Sequence, residues 1–247
     1  MRKNLLMLLT ILLLTLLIVP VGLGASDWGE LSTRLEQSVW ASSTFCEEIR
    51  GKQVCYTPEQ LFDGDPGTCW VEAAAGGGIG EWVMFAVNRP VEGLRMTNGF
   101  ARSPALFQSN NRIRRLRLSF VVGFTAPGLV TELDYYLFFT TELKEAQAQL
   151  RDTSDPQPVE FSVSWEEHQE LVWEALQRFY DSYPPFMREI EKDLGLEAEI
   201  GKEQLKQNQD LIFEVFGMSC LRLEILEVFP GDRYDDTCLS EVSTLFE

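Results

Sequence analysis

The chain has 247 residues, with 38 Asp and Glu against 21 Lys and Arg and a formal net charge of −17. A surface of that sign repels nucleic-acid phosphates and anionic lipids, and it favours solubility and cations. His168 is the single histidine, so zinc catalysis and most Ser-His or Cys-His arrangements would all lean on one side chain.

The first segment, MRK and then an apolar run over 5–19 broken by Pro20, ends in the small residues Gly22 and Gly24. It reads as a secretory leader over 1–24, cleaved near Gly24 or Ala25, with an uncleaved anchor as the alternative. The run is short for a bilayer span, and no later segment is long and apolar enough to make one. The expected product is exported, periplasmic or secreted, and soluble. Removing 1–24 takes away Arg2, Lys3 and no acid, leaving 19 basic against 38 acidic residues.

From 38 to 163 the texture is all-β: SVWASSTF, EWVMFAV, GLRMTNGF, RRLRLSFVVGF, LDYYLFFTT and PVEFSVSW alternate with turn residues at sandwich spacing. In RLRLSF, Leu116, Leu118 and Phe120 share one face, with Arg117 and Ser119 opposite. Five cysteines in an exported chain suggest disulfides with one thiol left over. Cys46 and Cys55 flank EEIRGKQV, a hairpin that a bond would staple. Cys69 and Cys238 become neighbours if their segments meet, and Cys220 is then the odd, strand-buried thiol; the sequence does not fix this connectivity. AAAGGGIG at 73–80 lacks the Lys-Ser/Thr pair of a phosphate loop and leads into a strand, so it reads as a flexible loop. No acid falls between Glu92 and Glu132, where Arg95, Arg102, Arg112, Arg114, Arg115 and Arg117 lie. That zone is either a binding surface for acidic sugars or the counterpart of the protein's own acids.

At Trp165 the period changes to that of helices. Leu171, Val172, Ala175, Leu176, Phe179, Tyr180 and Tyr183 recur at helical spacing, Pro184 and Pro185 end that helix, and PFMREIEKDL starts another. A polar third helix over about 197–210 precedes renewed β-type sequence at LIFEVFG and CLRLEILEVF. The block 166–213 therefore reads as a helical insertion between two parts of a β-sandwich, 25–165 and 214–247. Its apolar stripe packs on the sandwich or, alternatively, serves a partner helix. His168, in EEHQE, is expected on the helix surface.

Two distant runs share one chemistry. LFDGDPGTCW at 61–70 crowds Asp63, Asp65 and Thr68 into a turn forced by Gly64, Pro66 and Gly67, which alone reads first as an ordinary solvated Asp/Gly turn and alternatively as the oxygen cluster a calcium ion requires, and YDDTCLSEV at 234–242 supplies Glu241. LFDGDPGTCW resembles the DG-x-x-x-T-x-W run of galactose-binding-like β-sandwiches, the discoidin (coagulation-factor C-type) domains and related carbohydrate-binding modules. Calcium-binding members enclose one structural ion between this loop and a Ser/Ala-Glu pair on the last strand. The resemblance implies calcium held by the Gln60 and Asp65 carbonyls, the Asp63 carboxylate, the Thr68 hydroxyl and carbonyl, the Ser240 carbonyl and the Glu241 carboxylate. A Cys69–Cys238 disulfide would reinforce that clasp.

A closer resemblance joins LFDGDPGTCWVE, GGGIGEWVMF, GLRMTNGFARS, FQSNNRIRRLRLSF, LRDTSDPQP and VFPGDRYDDTCLSEV, in order, to the glycan-binding domain attached to bacterial NAD glycohydrolase toxins. It covers about 38–165 and 214–244, leaves no room for the catalytic domain of those toxins, and has no counterpart to the helical block. It implies an all-β, galactose-binding-like jelly-roll β-sandwich with an inserted helical segment and no catalytic role. Such sandwiches take sugars at rim loops, and a sugar site needs an aromatic platform and forked polar groups. TNGFARS and FQSNNR carry those types: Asn98, Phe100, Arg102, Phe107, Asn110 and Arg112. The equal alternative makes Asn98-Gly99 a turn and Phe100 core. Trp70 and Trp82, inside strand-like runs, are expected in the core. The partner is thus a glycan or, alternatively, a protein that docks on the helical insertion of an envelope scaffold or adaptor.

Overall fold

The computed structural model describes residues 28–196 and 200–245; the expected leader over 1–24 lies outside them. Among the described residues no helix is long and apolar enough to cross a membrane.

Three long strands form the backbone of the fold: β8 (Asn111–Phe124), β9 (Tyr136–Gln149) and β11 (Gly217–Phe229). β8 pairs antiparallel with both of the others. Alternation over β8 turns Leu116, Leu118, Phe120, Val122 and Phe124 into one buried row. β6 (Trp82–Ala86) and β2 (Val39–Ala41) extend this layer beyond β11, and β1 (Gly29–Thr33) extends it beyond β9. A second layer holds β5 (Trp70–Val71), β7 (Gly93–Asn98), β10 (Gln157–Val159) and β12 (Thr237–Leu245). β12 touches β8 by only two parallel pairs, Thr237 with Asn111 and Cys238 with Arg112, and the sheet folds over there. Trp70, Leu94, Met96, Leu239 and Val242 of the second layer enclose one core with Leu116, Leu118, Leu221 and Leu223 of the first. Each such burial contributes about 1.5–3 kcal/mol. The jelly-roll sandwich is the expected fold.

The long strands overrun the second layer, and helices cover the excess. α2 (Trp165–Ser182) starts where the Ser164 hydroxyl accepts from the Glu167 N–H at 3.2 Å, and its apolar stripe buries Val172, Ala175, Leu176 and Phe179. The Phe179 ring packs 5.4 Å from Phe124 and 6.2 Å from Phe139, so the stripe continues the sandwich core. α3 (Pro184–Asp193), α4 (Lys202–Gln207) and α5 (Gln209–Phe216) complete the block.

Several expectations change. The single polar helix over 197–210 is two short helices, with 197–199 outside the described residues. LIFEVFG is not strand: α5 runs to Phe216, because Ile212 and Phe216, four apart, both reach the core, and a short apolar run fits either period. The 98–112 stretch is not all loop, since α1 (Pro104–Ser109) forms there with Ser103 accepting from the Leu106 N–H and Pro104 at its first turn. His168 is buried, not on the helix surface, because its side of α2 faces Phe120 and Phe213.

The cysteines divide in two. Strands β3 (Cys46–Ile49) and β4 (Lys52–Cys55) form a hairpin whose register sets Cys46 opposite Cys55, with Cα atoms 4.1 Å apart, and the disulfide is present. Arg50 and Gly51, at φ 53° and 76°, make its two-residue turn. Cys69 and Cys238 carry free thiols, contrary to the expected bond. β12 places Cys238 opposite Val71 and Leu239 opposite Trp70, which puts Cys69 diagonal to Cys238 rather than across from it. The two sulfurs meet as a hydrogen-bonded pair, and that contact and burial push the Cys238 thiol far up. Cys220 is a buried free thiol in β11, as expected.

Candidate functional site

The start of β8 gathers the two distant runs and the 98–112 segment. The 3-10 turn Pro58–Phe62 delivers Asp63 into a loop in which Gly64 takes φ +76°. The Asp63 carboxylate accepts from the Asp65 N–H and the Thr68 hydroxyl, both at 2.8 Å, and these bonds hold it below its ordinary range. The Thr68 oxygen also lies 2.9 Å from the Asp65 carbonyl, so the two acceptors share its one proton, and the Gly67 N–H donates to Asp65 Oδ1 at 2.8 Å. β12 brings Glu241 against this loop. Burial first, then the Asp63 charge and the hydrogen bond to Asp63, pushes the Glu241 carboxyl up to about 7.

Of the six residues implied as calcium ligands, Asp63, Asp65, Thr68 and Glu241 therefore meet. The Ser240 hydroxyl is spent, donating to the Gly99 carbonyl and accepting from the Ala101 N–H, which leaves that residue its carbonyl. Glu241 Oε1 and Gln60 Oε1 are buried with no hydrogen-bond partner. The orphaned Glu241 Oε1, on a carboxyl hydrogen-bonded to Asp63, is an acceptor that a hard cation would satisfy, so these residues fit the ion, whereas the resemblance asks only for the carbonyl of Gln60. Among the described residues no three His, Cys, Asp or Glu side chains form a metal-holding group. The implied set has two carboxylates and takes its other oxygens from carbonyls and a hydroxyl.

The expected sugar-contacting residues are placed differently. Asn98 is fully buried: its amide donates to the Ile113 carbonyl at 2.7 Å and its oxygen accepts from the Ile113 and Gly99 N–H groups. Arg112 is buried, forks onto Asp152 at 3.0 and 2.9 Å, and donates to the Asn110 and Pro230 carbonyls. Phe107 is buried beneath that guanidinium, 5.2 Å from ring centroid to carbon, and Asn110 donates to the Leu106 carbonyl. Phe100 is buried, and Arg102 alone of the six is exposed. Tight packing explains this: a Cβ on Gly99, at φ +67°, would come within 2.6 Å of Arg112 and 2.7 Å of Phe107. Four arginines of the zone pair with the protein's own acids: Arg112 with Asp152, Arg114 and Arg115 with Glu227, and Arg117 with Glu224 at 2.6 Å; outside the zone, Arg222 pairs with Glu224 and Glu142. Trp70 is core as expected, whereas Trp82 is half-buried on the outer face, under Arg222.

What the 98–112 segment does is wall a cleft. Phe100, Leu106 and Asn110 line an opening of about 220 Å³ together with Tyr56, Tyr234 and Asp236. The stapled hairpin is tied to β5 through Phe45 N–H to Val71 O, Tyr56 N–H to Phe45 O and Val71 N–H to Tyr56 O. That sets Phe45 and Tyr56 in a stack at 6.2 Å and 23°, with Tyr56 edge-on to Phe100. The Tyr56 hydroxyl donates to Glu47 at 2.8 Å, and burial followed by that bond pushes its pKa up to about 12. The opposite lip, 230–236, is pinned by Asn111, which donates to the Asp235 carbonyl and accepts from the Gly231 N–H, and by Tyr234 N–H to Ser109 O. Tyr234 is 40 % exposed, with the Arg233 guanidinium 4.9 Å over its ring. Burial, Asp235 and Glu47 raise the Asp236 carboxyl. Tyr56, Tyr234 and Asp236 were not singled out in the sequence; the aromatic flanks of CYTPEQ and DRYDD are the signal that would have found them.

Residues 32–174, more than half of the chain, match the family model of the NAD glycohydrolase translocation F5/8 type C domain. The chain belongs to this family. It is a galactose-binding-like domain. No curated protein matches it. Among solved structures it is similar to the mycobacterial arabinofuranosyltransferase AftD, at 13% identity and TM-score 0.38, over 88% of this chain and 11% of that one. It is also similar to CBM32-3 from a family 31 glycoside hydrolase of Clostridium perfringens, at 10% identity and TM-score 0.37, over 85% and 90% of the two chains. A third, CpGH89CBM32-4 of Clostridium perfringens, has 10% identity and TM-score 0.32 over 85% and 96%. This chain thus spans about a ninth of AftD, and likeness at these scores says nothing of activity.

Proposed function

We propose that this F5/8 type C domain is an exported, non-catalytic carbohydrate-binding domain that takes its glycan in the Tyr56–Tyr234 cleft, with a structural calcium in the Asp63–Glu241 clasp. The observation that carries this reading is the cleft itself: an exposed tyrosine face beside carboxylates, on lips fixed by a disulfide and by buried asparagines. A pyranose stacks its C–H face on such a ring while carboxylates accept from adjacent hydroxyls. Glu47 is already oriented by Tyr56, and Asp236 lines the same opening. Phe100 and Asn110 serve as wall, and Arg102 lies exposed on the same segment. The calcium would brace the loop and final strand and take no part in binding sugar. A glycan array with the wild type and Tyr234→Ala tests the reading: binding to a defined set of glycans, lost in the variant, is expected. No bound glycan, or binding unchanged in Tyr234→Ala, would refute it.

A second reading, a protein–protein adaptor or envelope scaffold acting through the helical block, is favoured by Leu211 and Val215, exposed four residues apart on α5. Leu211→Glu with Val215→Glu would then abolish capture of a partner while leaving glycan binding intact.

A further inference from the structure

Two openings of the molecule differ in what their walls leave unpaired. One, of about 680 Å³ at the seam between the helical block and the sandwich, is lined chiefly by apolar groups, Val87, Trp165, Phe213 and Met218 among them. In the Tyr56–Tyr234 cleft, by contrast, donors are spent and acceptors are left over. The Tyr56 hydroxyl donates to Glu47 at 2.8 Å, and the Cys238 thiol is engaged with Cys69. The Asn110 amide nitrogen donates to the Leu106 carbonyl at 2.8 Å, and because a carbonyl cannot donate, this bond fixes which way the amide points. The end left over is Oδ1. It belongs to a side chain only 8 % exposed that lines the cleft, and it accepts from no described residue. Unlike Gln60 Oε1, it is not closed off from solvent.

The charged lining residues are Glu47 and Asp236, and neither has an ion-pair partner among the described residues. The Arg233 guanidinium lies 4.9 Å over the Tyr234 ring and does not line the cleft. Burial, then the charges of Asp235 and Glu47, raises the Asp236 carboxyl, so two like charges share one opening without a lining cation. Two unpaired carboxylates and an amide oxygen with no donor of its own ask for a ligand that donates and carries positive charge.

We propose that the cleft selects a sugar bearing a free, protonated amine, a 2-amino-2-deoxyhexose, over its N-acetylated, hydroxyl and carboxylate relatives. This rests on the carbohydrate reading of the same cleft. The ammonium takes its acceptors from Glu47, Asp236 and Asn110 Oδ1, while the carbon skeleton lies against Tyr234. N-acetylation removes the charge and leaves one N–H in place of three, and a uronate brings a further negative charge into the opening.

Titration calorimetry on the full chain at about pH 6, below the range of an α-amino group, compares the methyl glycosides of glucosamine and galactosamine with their N-acetyl, 2-hydroxyl and 6-carboxylate relatives. In at least one of the two configurations the amine should bind at least about tenfold tighter than its relatives. That advantage should shrink as salt is raised. Asp236→Asn and Glu47→Gln, each with wild-type circular dichroism, should weaken the amine about tenfold and the neutral sugar far less. Relatives binding as tightly, array glycans binding while neither amine does, or amine affinity unchanged in both folded variants would overturn the charge selection. Loss in Tyr234→Ala of whatever then binds would leave the carbohydrate reading standing. No binding by any probe or array glycan would overturn both.

Discussion

The two ends of β8 are finished in opposite ways. At its start, Asn110, Asn111 and Arg112 are buried polar groups whose donors are taken up by the Leu106 carbonyl of α1, the 230–236 lip and Asp152. At its end, Phe120, Val122 and Phe124 sit in continuous apolar packing with α2 and α5. Apolar packing is non-directional and holds an end shut; directional hydrogen bonds hold a loop at one place while leaving a gap beside it. The polar end can therefore carry an open cleft on fixed lips, whereas the apolar end owes its cavity to a seam between layers.

Mutations at each end sharpen that contrast. Phe179→Ala removes a ring packed against Phe124, Phe139 and Tyr183 and should lower unfolding free energy by about 3–5 kcal/mol in urea denaturation, without touching glycan binding. Chelation comes next. An ion bound by the folded state alone stabilises it by about 2.7 kcal/mol at a hundred times its Kd, so a chelator should lower the melting temperature. Glu241→Gln should remove the effect of the chelator; an equal shift in wild type and variant would detach calcium from this clasp. Asn98→Ala leaves the Ile113 N–H and carbonyl unpaired and should cost about 1–3 kcal/mol while also weakening glycan binding, because the cleft wall loosens. Arg102→Ala, at an exposed position, should change stability by less than about 0.5 kcal/mol, a null that marks where the buried polar region ends.

Legibility in the sequence followed the same division. The alternation of RLRLSF, the helical stripe of α2 and the Cys46–Cys55 hairpin are local patterns, and each appears where it was expected. The sandwich came from the order of resembling blocks. The two halves of the clasp carried distinctive residues, but their meeting depends on β12, which the chain reaches only after the helical block. Asn98, Asn110 and Arg112 have the composition of a sugar site, and their burial is a tertiary matter: a buried Arg forked onto Asp152 reads in sequence like an exposed one. The diagonal placement of Cys69 and Cys238 is likewise a question of register, which residue spacing does not carry. The second half of β9, TELKEAQAQ, escaped notice because its polar face hides the period.

Residue-resolved NMR of the protein, titrated with an oligosaccharide that the array identifies, tests the central claim most directly. Shifts concentrated in 45–56, 100–110 and 234–236, and suppressed in Tyr234→Ala, are the predicted result. Shifts confined to the Trp82–Arg222 face or to the helical block, with the cleft silent, would contradict it.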